Sequence, residues 1–483
     1  MGNPNIESPN GDIKKIPLMA VLLVGAFVAI LNQTLLATAI PPIMEDLHIS
    51  ANTAQWLTTI FMLVNGIMIP ITAFLVESFT TRKLYISAIS LFAVGTLICA
   101  VSPSFSILMV GRIVQAAGAG VMMPLMQTIV LLVFPIEKRG QAMGFMGLVI
   151  SFAPAIGPTL SGYLVDHYHW KVLFYVVLPI AVIDIIFAYF VLKNVTELKY
   201  PKVDVLSIIL STLGFGGVLY GFSSAGGMGW TSNTVMITMA VGLISLLFFS
   251  LRQLKLKQPM LELRVLKYTG FTLCTIIGML VFMTMIGGAT IMPIYMQDMR
   301  HFSATQSGLM MLPGALLMGI MSPVTGRIFD KIGAKWLALT GLGLMSITNL
   351  AYTGLSTDTS FVFLTIIYLL RMVGTAMVMM PITTAGLNAL PKNLIPHGTA
   401  VNNTLRQVSG SIGTALLVTV MTTMAIKPEA AENVAQGAIH GVNMSFWAAL
   451  VFGVIGFVLS FFIKQNYAPP KKAKLKTSSL PDN

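Results

Sequence analysis

The chain has 483 residues, of which 55% are hydrophobic and only 10% are charged, and its mean hydropathy is +0.83. Soluble domains carry about 25% charged residues, so this composition excludes an ordinary soluble protein and indicates an integral membrane protein. The formal net charge of +12 could suggest nucleic acid as a partner, but the positions of the basic residues exclude that reading below.

Long apolar runs recur along the whole chain and predict an all-α polytopic membrane protein. In hydrocarbon every backbone N–H and C=O group must be paired within its own segment, so a run of about 20 apolar residues indicates a spanning helix. We predict fourteen such helices, at about residues 16–40, 52–76, 84–101, 105–134, 140–165, 170–192, 205–223, 234–251, 270–292, 305–325, 335–352, 361–382, 398–425 and 442–463. The first run is too long for a signal peptide and lacks a cleavage pattern, so we expect it to remain in the mature protein.

The basic residues are distributed unevenly between the loops. With the N-terminus placed in the cytoplasm, 23 of the 29 Lys and Arg residues fall on the inside, and only Lys171, Arg300 and Lys427 fall outside. Such a bias predicts that both termini are cytoplasmic. The basic balance is therefore an orientation signal, with anionic membrane lipids rather than nucleic acid as partners.

The second half of the sequence resembles the first. "AIPPIMEDL" from Ala39 matches "IMPIYMQDM" from Ile291 at an offset of 252 residues, and three further matches follow in the same order. These pair Glu77 with Asp330, Arg112 with Arg371, and "RGQAM" from Arg139 with "HGTAV" from His397. We interpret this as a duplicated six-helix unit with two inserted helices, which gives five regions: an N-terminal tail (1–15), a first bundle (16–193), a linker with two extra helices (194–268), a second bundle (269–464) and a basic tail (465–483). Parallel repeats of this kind place a substrate site at their interface, near the bilayer midplane.

Four motifs carry a resemblance to a known family. They are Arg112-x-x-Gln115-x-x-Gly118-x-Gly120, "APAIGPTLSG", "GRIFDKIG" and "WKVLFYVVLP". Together they resemble the major facilitator superfamily, specifically its fourteen-helix drug:proton antiporter branch, which includes QacA-like and lincomycin-resistance-type exporters. The resemblance covers essentially the chain between its polar tails.

Small residues and prolines follow one side of predicted helix five. They include Gly144, Gly147, Pro154, Gly157, Pro158 and Gly162. Small faces let helix backbones approach closely in lipid. The resemblance implies that this is the antiporter motif, which forms a close contact between the bundles that bends or seals during exchange. Ordinary small-residue packing is the alternative, and Ala153 stands where the family usually has Gly.

Arg112 lies about two turns inside helix four, where an arginine must face the bundle interior or water and have partners. It shares one stripe with Gln115, Met122 and Met126, which we expect to line the substrate cavity. The resemblance implies that Arg112 assists proton coupling by modulating a nearby carboxyl group. A structural arginine bonded to backbone carbonyls is the alternative.

Two loops correspond to the cytoplasmic gating motif of the family, in which an acid and basic residues clamp helix ends together. The second copy is intact, with Asp330, Lys331, Gly333 and Lys335. The first copy is eroded, although Glu77 and Arg82 can still supply the charges, so a solvated loop is an equal alternative there.

The remaining polar groups inside helices suggest a cavity and a proton carrier. Asn32, Gln33 and Thr34 in helix one, with Asn402 and Arg406 in helix thirteen, are expected to line the cavity, although interhelical hydrogen bonding alone could explain the amides. Many relatives have an Asp where Asn32 stands, and an amide cannot titrate. Asp184, deep in helix six, is the preferred proton carrier, and the alternatives are a packing role for Asp184 or carriers at helix ends, namely Asp46, Asp166 or Glu77.

The resemblance implies a bacterial plasma-membrane protein that exports amphipathic drugs or antibiotics by proton-coupled alternating access. The sequence lacks a nucleotide-binding loop, a metal cluster and a nucleophile constellation, so we expect no ATP engine, no enzyme activity, no cofactor and no metal. Cys99 and Cys274 fit small core positions. We expect a monomer. Export of one endogenous metabolite or lipid is the alternative function, and a non-transporting membrane sensor is a third.

Overall fold

The computed structural model describes residues 14–196, 198–199, 203–426 and 434–464. Within these ranges the chain is all-helical, and its fourteen α-helices occur in the predicted order. They are α1 (Lys15–Leu47), α2 (Ala51–Ser78), α3 (Thr81–Ala100), α4 (Phe105–Val133), α5 (Arg139–His167), α6 (Val172–Val191), α7 (Val205–Met228), α8 (Asn233–Lys255), α9 (Thr269–Ile294), α10 (Ala304–Ile332), α11 (Ala334–Tyr352), α12 (Phe361–Asn388), α13 (Ile395–Thr423) and α14 (Val434–Ser460). The predictions for residues 1–13, for the tail 465–483 and for Lys427 lie outside the described residues.

Several helices are longer than the apolar runs from which they were predicted. α1 continues to Leu47 through Pro41 and Pro42, and α10 continues to Ile332. Twelve of the described helices are long and apolar enough to cross a membrane, and α11 and α13 are not among them. The prediction of an all-helical membrane fold is therefore confirmed, and twelve of the fourteen described helices qualify as spans by length and composition.

Local sequence determines where helices begin. The Ser50 side chain accepts a hydrogen bond from the N–H of Thr53 at the start of α2. Ser303 and Gln306 form a reciprocal capping box at the start of α10. These side chains satisfy N–H groups that have no partner inside the helix. The starts of α2 and α10 are thus fixed by polar residues at the edges of apolar runs.

The helices pack in two groups. Helices α1–α6, the first group, contact one another, and α9–α14, the second group, do the same. The two groups meet along two seams, where α5 lies against α10 and α2 lies against α13. We call the side on which α1 begins and α14 ends the termini side, and the other the opposite side.

The two inserted helices, α7 and α8, form a hairpin that packs on α2 and α13 through α7. The rings of Trp56 and Tyr220 stack with their centroids 5.6 Å apart, and Trp230 Nε1 donates to Thr419 Oγ1 at 2.7 Å. The outer side of α8 exposes large apolar residues such as Leu243 and Phe248. The hairpin therefore covers the α2–α13 seam and presents an apolar face outward.

Candidate functional site

Arg112 is the centre of a buried polar network in the first group. Its side chain is fully buried, and Nη1 donates to Asn32 Oδ1 at 2.8 Å and to Gln115 Oε1 at 2.6 Å. Nε donates to the Leu57 carbonyl at 3.2 Å, and the guanidinium lies 4.2 Å from the centre of the Phe61 ring. The network brings three predicted residues together, and the hydrogen-bond partners of Arg112 are amide and carbonyl oxygens rather than carboxylates.

The hydrogen-bond partner of Asp184 is Tyr85, whereas a carboxyl group modulated by Arg112 would need Arg112 as its neighbour. It is only 2% exposed, and Tyr85 Oη lies 2.6 Å from Asp184 Oδ2 and 2.9 Å from the Val21 carbonyl oxygen. An ionised Asp184 would accept a hydrogen bond from the Tyr85 hydroxyl. A protonated Asp184 would instead donate a hydrogen bond to the Tyr85 oxygen, and the Tyr85 hydroxyl would then donate to the Val21 carbonyl. The geometry accommodates both protonation states, and it places Asp184 among α1, α3 and α6 rather than at a seam between the groups.

Other predicted cavity residues are closely packed. Met122 and Met126 are at most 1% exposed. Thr34 Oγ1 donates to the Leu31 carbonyl at 2.9 Å and lies against Gly157 of α5, while Gln33 is half-buried. In this conformation Met122 lies beside Gly25 of α1, and Thr34 joins α1 to α5, both within the first group.

Helix α13 carries the predicted polar residues of the second group. Asn402 is 3% exposed and Arg406 is 7% exposed, one turn apart. The adjacent Asn403 donates from Nδ2 to Gln127 Oε1 of α4 at 2.6 Å. Gln407 approaches Gly66 of α2. This part of α13 therefore lies directly against the first group.

The small face of α5 divides between two partners. An added Cβ at Gly144 would lie 2.5 Å from the Ser322 carbonyl oxygen of α10, and one at Gly147 would lie 2.8 Å from the Ser322 side chain. Further along, Gly157 meets Thr34 of α1, and an added Cβ at Gly162 meets nothing within 4 Å. The remaining motif residues, Pro154 and Pro158, are exposed. Among the motif glycines, Gly144 and Gly147 thus lie against the second group, whereas Gly157 lies against α1 of the first.

The intact gating loop places its acid at a helix N-terminus. Asp330 Oδ1 accepts from the N–H of Gly140 at 2.8 Å, and Oδ2 accepts from the N–H of Gln141 at 2.9 Å. A carboxylate at this position satisfies unpaired N–H groups and interacts favourably with the helix dipole. Asp330 therefore joins the end of α10 to the start of α5. Gly333 has φ = +79°, a conformation that glycine adopts readily, and it ends α10.

The eroded gating loop forms a different clamp. Glu77 is 8% exposed, and His397 Nε2 of α13 lies 3.2 Å from Glu77 Oε1. Lys199 also pairs with this carboxylate. Arg82 lies 4.1 Å from the Tyr189 ring centre instead. Among the predicted basic residues of the second loop, Lys331 is exposed and Lys335 is half-buried.

The remaining acidic candidates lie at helix ends on the opposite side. Asp46 accepts a hydrogen bond from Trp170 Nε1 at 2.9 Å, which holds the pKa of that carboxyl below its ordinary value of 3.8. His169 Nε2 lies 3.4 Å from the same carboxylate. Asp166 is exposed. Neither acid is sheltered from water as Asp184 is.

Sequence reasoning missed several partners of these residues. They include Tyr85, His397 and Lys199, and also Arg139, whose Nη1 donates to Asn388 Oδ1 of α12 at 2.6 Å. The duplication contained a usable signal, because it aligns His397 with Arg139, and each of these joins the start of its helix to the other group.

Comparisons with known proteins agree with this architecture. The profile described as Major Facilitator Superfamily matches residues 22–414. The protein named "uncharacterized MFS-type transporter YcnB" of Bacillus subtilis (strain 168) is 57% identical over 455 residues, which cover 94% of this chain and 96% of the relative. The lincomycin resistance protein LmrB of the same organism is 42% identical over 461 residues, covering 94% and 96%.

Solved structures share the fold. The crystal structure of the human organic anion transporter MFSD10 (TETRAN) superposes with a TM-score of 0.68 at 14% sequence identity, over 93% of this chain and 100% of that one. At this identity the likeness concerns the fold alone. The profile match and the curated relatives together show that this chain is a multi-pass membrane transporter, not an enzyme, and belongs to the major facilitator superfamily.

Proposed function

We propose that the chain exports amphipathic drugs or antibiotics across the bacterial plasma membrane as a monomer, in exchange for protons and by alternating access. The name of its relative LmrB, a lincomycin resistance protein, supports a drug or antibiotic as substrate. The Arg112 network and the separable contacts between the helix groups support a transport cycle.

We extend the count of spans to fourteen. α13 is 29 residues long, and its low hydropathy comes from buried polar residues such as Asn402 and Arg406, which neighbouring helices cover. α11 has 19 residues and packs between α12 and α14. Helices inside a bundle need not be apolar all round. The excess of Lys and Arg on the termini side supports a cytoplasmic location of both termini, and the fourteen spans would then form two six-helix bundles separated by the α7–α8 linker.

The position of the contacts between the groups carries the proposal. Among the residues that the structure describes, the hydrogen bonds that join α1–α6 to α9–α14 lie in the termini half. They connect Asp330 with Gly140 and Gln141, His397 with Glu77, Arg139 with Asn388, and Asn403 with Gln127. Such polar contacts can be exchanged for water at modest cost. The conformation is therefore closed on the termini side, and breaking these contacts would open it there.

Asp184 is the proposed proton carrier. It is shielded from water, unlike Asp46 and Asp166, and its contact with Tyr85 is compatible with both protonation states. Tyr85 and Asp184 connect α1, α3 and α6, so a change of protonation would alter how these helices pack. Arg112 has the role of holding Asn32 and Gln115, and with them α1 and α4, in a fixed arrangement.

Resistance profiling in an efflux-deficient bacterium tests the proposal. Expression of the chain should raise the inhibitory concentration of several amphipathic antibiotics. Asp184→Asn and Arg112→Ala should abolish this resistance, while the matched control Asp358→Asn, at an exposed loop on the opposite side, should retain it. Full activity of Asp184→Asn would show that Asp184 is not the proton carrier and would favour an acid at a helix end. Resistance to no antibiotic, with one endogenous compound accumulating in the cells, would favour the alternative of a dedicated metabolite exporter.

A further inference from the structure

The charges inside the helices are predominantly positive. Among the described Asp, Glu, Lys and Arg residues, four lie at least seven residues from either end of their helix, namely Arg112, Asp184, Arg371 and Arg406. Three of them are arginines, and the single acid, Asp184, is hydrogen-bonded to Tyr85. A cationic compound entering between the groups would therefore meet a repulsive field, and an anionic one an attractive field.

Arg406 differs from the other two arginines in having no acceptor. Arg112 donates to two amides and a carbonyl, and Arg371 Nη2 donates to the Thr284 carbonyl at 2.5 Å. The guanidinium of Arg406 has no hydrogen-bond or ion-pair partner among the described residues, although it is 93% buried. Its contact is the face of Phe282 of α9, with 4.8 Å between the guanidinium carbon and the ring centre. A guanidinium inside a membrane-spanning helix needs an acceptor, and since the described residues offer none here, the site is open to an acceptor from outside the chain.

A second donor lies beside it. Asn402 Nδ2, one turn earlier on the same face of α13, is buried and has no hydrogen-bond partner among the described residues. Asn403 and Gln407, which flank this face, lie against α4 and α2 of the first group. Arg406 and Asn402 thus present unpaired N–H groups close to the junction of the two groups, beside an aromatic ring.

We propose that Arg406, with Asn402 and Phe282, binds a carboxylate group of the substrate, so that an amphipathic carboxylate binds more tightly than the matched amide or amine. The guanidinium presents paired N–H donors that match a carboxylate, the Asn402 amide adds a third, and Phe282 packs against an apolar ring next to the carboxylate. This inference rests on the proposed function, because it specifies the substrate class of the same transport site.

Three ligands with one ring test the inference, namely indole-3-acetate, indole-3-acetamide and tryptamine. Their dissociation constants are obtained from the ligand-dependent rise in unfolding temperature of the purified full chain in detergent. A hydrogen bond to a charged group corresponds to about a tenfold to hundredfold change in affinity. Indole-3-acetate should bind at least about tenfold more tightly than the other two compounds.

The variants separate recognition from folding. Arg406→Gln should weaken indole-3-acetate binding by about tenfold or more and leave indole-3-acetamide within about twofold. Arg406→Lys keeps the charge and should give an intermediate affinity. Lys257→Gln, which removes the same charge from an exposed linker residue, should match wild type.

Tightest binding of tryptamine, absence of binding by indole-3-acetate, or an unchanged affinity for it in Arg406→Gln would overturn the inference. The measurement needs no gradient. If proton-driven export is not observed, the proposed function fails but the carboxylate preference can still hold. If the protein exports drugs but binds the amine most tightly, the proposed function holds and this inference is wrong.

Discussion

Replacement of Asp330 should open the termini side of the molecule. The carboxylate accepts two backbone hydrogen bonds from Gly140 and Gln141 at the start of α5. Hydrogen bonds to a charged group contribute about 1.5–3 kcal/mol each. Because Asp330 is half-buried, water compensates part of the loss, and we estimate about 3 kcal/mol for Asp330→Ala. That corresponds to roughly a hundredfold shift of the conformational equilibrium away from the state closed on the termini side.

Electron–electron distance measurements between spin labels can measure this shift. Labels at Lys138→Cys and Lys392→Cys lie in exposed loops of the two groups on the termini side, and the native Cys99 and Cys274 are buried. In Asp330→Ala a longer distance should become the major population. Asp330→Asn keeps one acceptor oxygen and should shift the equilibrium less.

Asp358→Asn, at an exposed position on the opposite side, is the charge-matched control and should leave the distances unchanged. An unaltered distance distribution in Asp330→Ala would refute the assignment of Asp330 as a clamp.

Three further predictions concern packing and stability. Gly144→Ala should strongly reduce transport in a vesicle assay, because the added Cβ would lie 2.5 Å from a backbone oxygen of α10 and would push the helices apart by about 1 Å. Gly308→Ala is the control and should be tolerated in the same assay, since its added Cβ would meet nothing within 4 Å. Arg112→Lys should lower the free energy of unfolding in detergent by about 2–3 kcal/mol, since one ammonium group cannot reproduce the guanidinium contacts; an unchanged stability would contradict the network. The hydrogen bond from Arg252 holds the pKa of Asp204 at about 2, below its ordinary value of 3.8. This pair should therefore stabilise the fold above pH 4, and the contribution should disappear as the pH falls towards 2. The stabilities of Asp204→Asn and wild type, measured by denaturation across this pH range, test the prediction. A stability difference that does not change with pH would contradict a contribution from this ion pair.

The helices and the buried arginine were predictable because each depends on a strong local rule. An apolar run of membrane length must be helical, and an arginine inside such a run must find partners, which for Arg112 include Asn32 and Gln115. The clamping role of Asp330 followed from the family resemblance, whereas its partner, the start of α5 190 positions away, did not.

The contacts between distant parts of the chain were not predictable from local rules. The Glu77–His397 pair joins residues 320 positions apart, and Lys199 reaches the same carboxylate from the linker. The spacing of small residues in α5 identified a bare face but could not show that Gly144 meets α10 while Gly157 meets α1. Periodicity shows which residues share a face, whereas the partner of that face depends on the whole packing arrangement.

Proton exchange in vesicles tests the central claim most directly. In proteoliposomes under an imposed pH gradient, wild-type protein should accumulate substrate against its concentration gradient and release protons in step with it. Asp184→Asn should lose this uphill accumulation and keep the exchange of labelled for unlabelled substrate across the membrane, which needs no net proton movement. Substrate accumulation without any proton flux, or undiminished uphill transport by Asp184→Asn, would contradict the account.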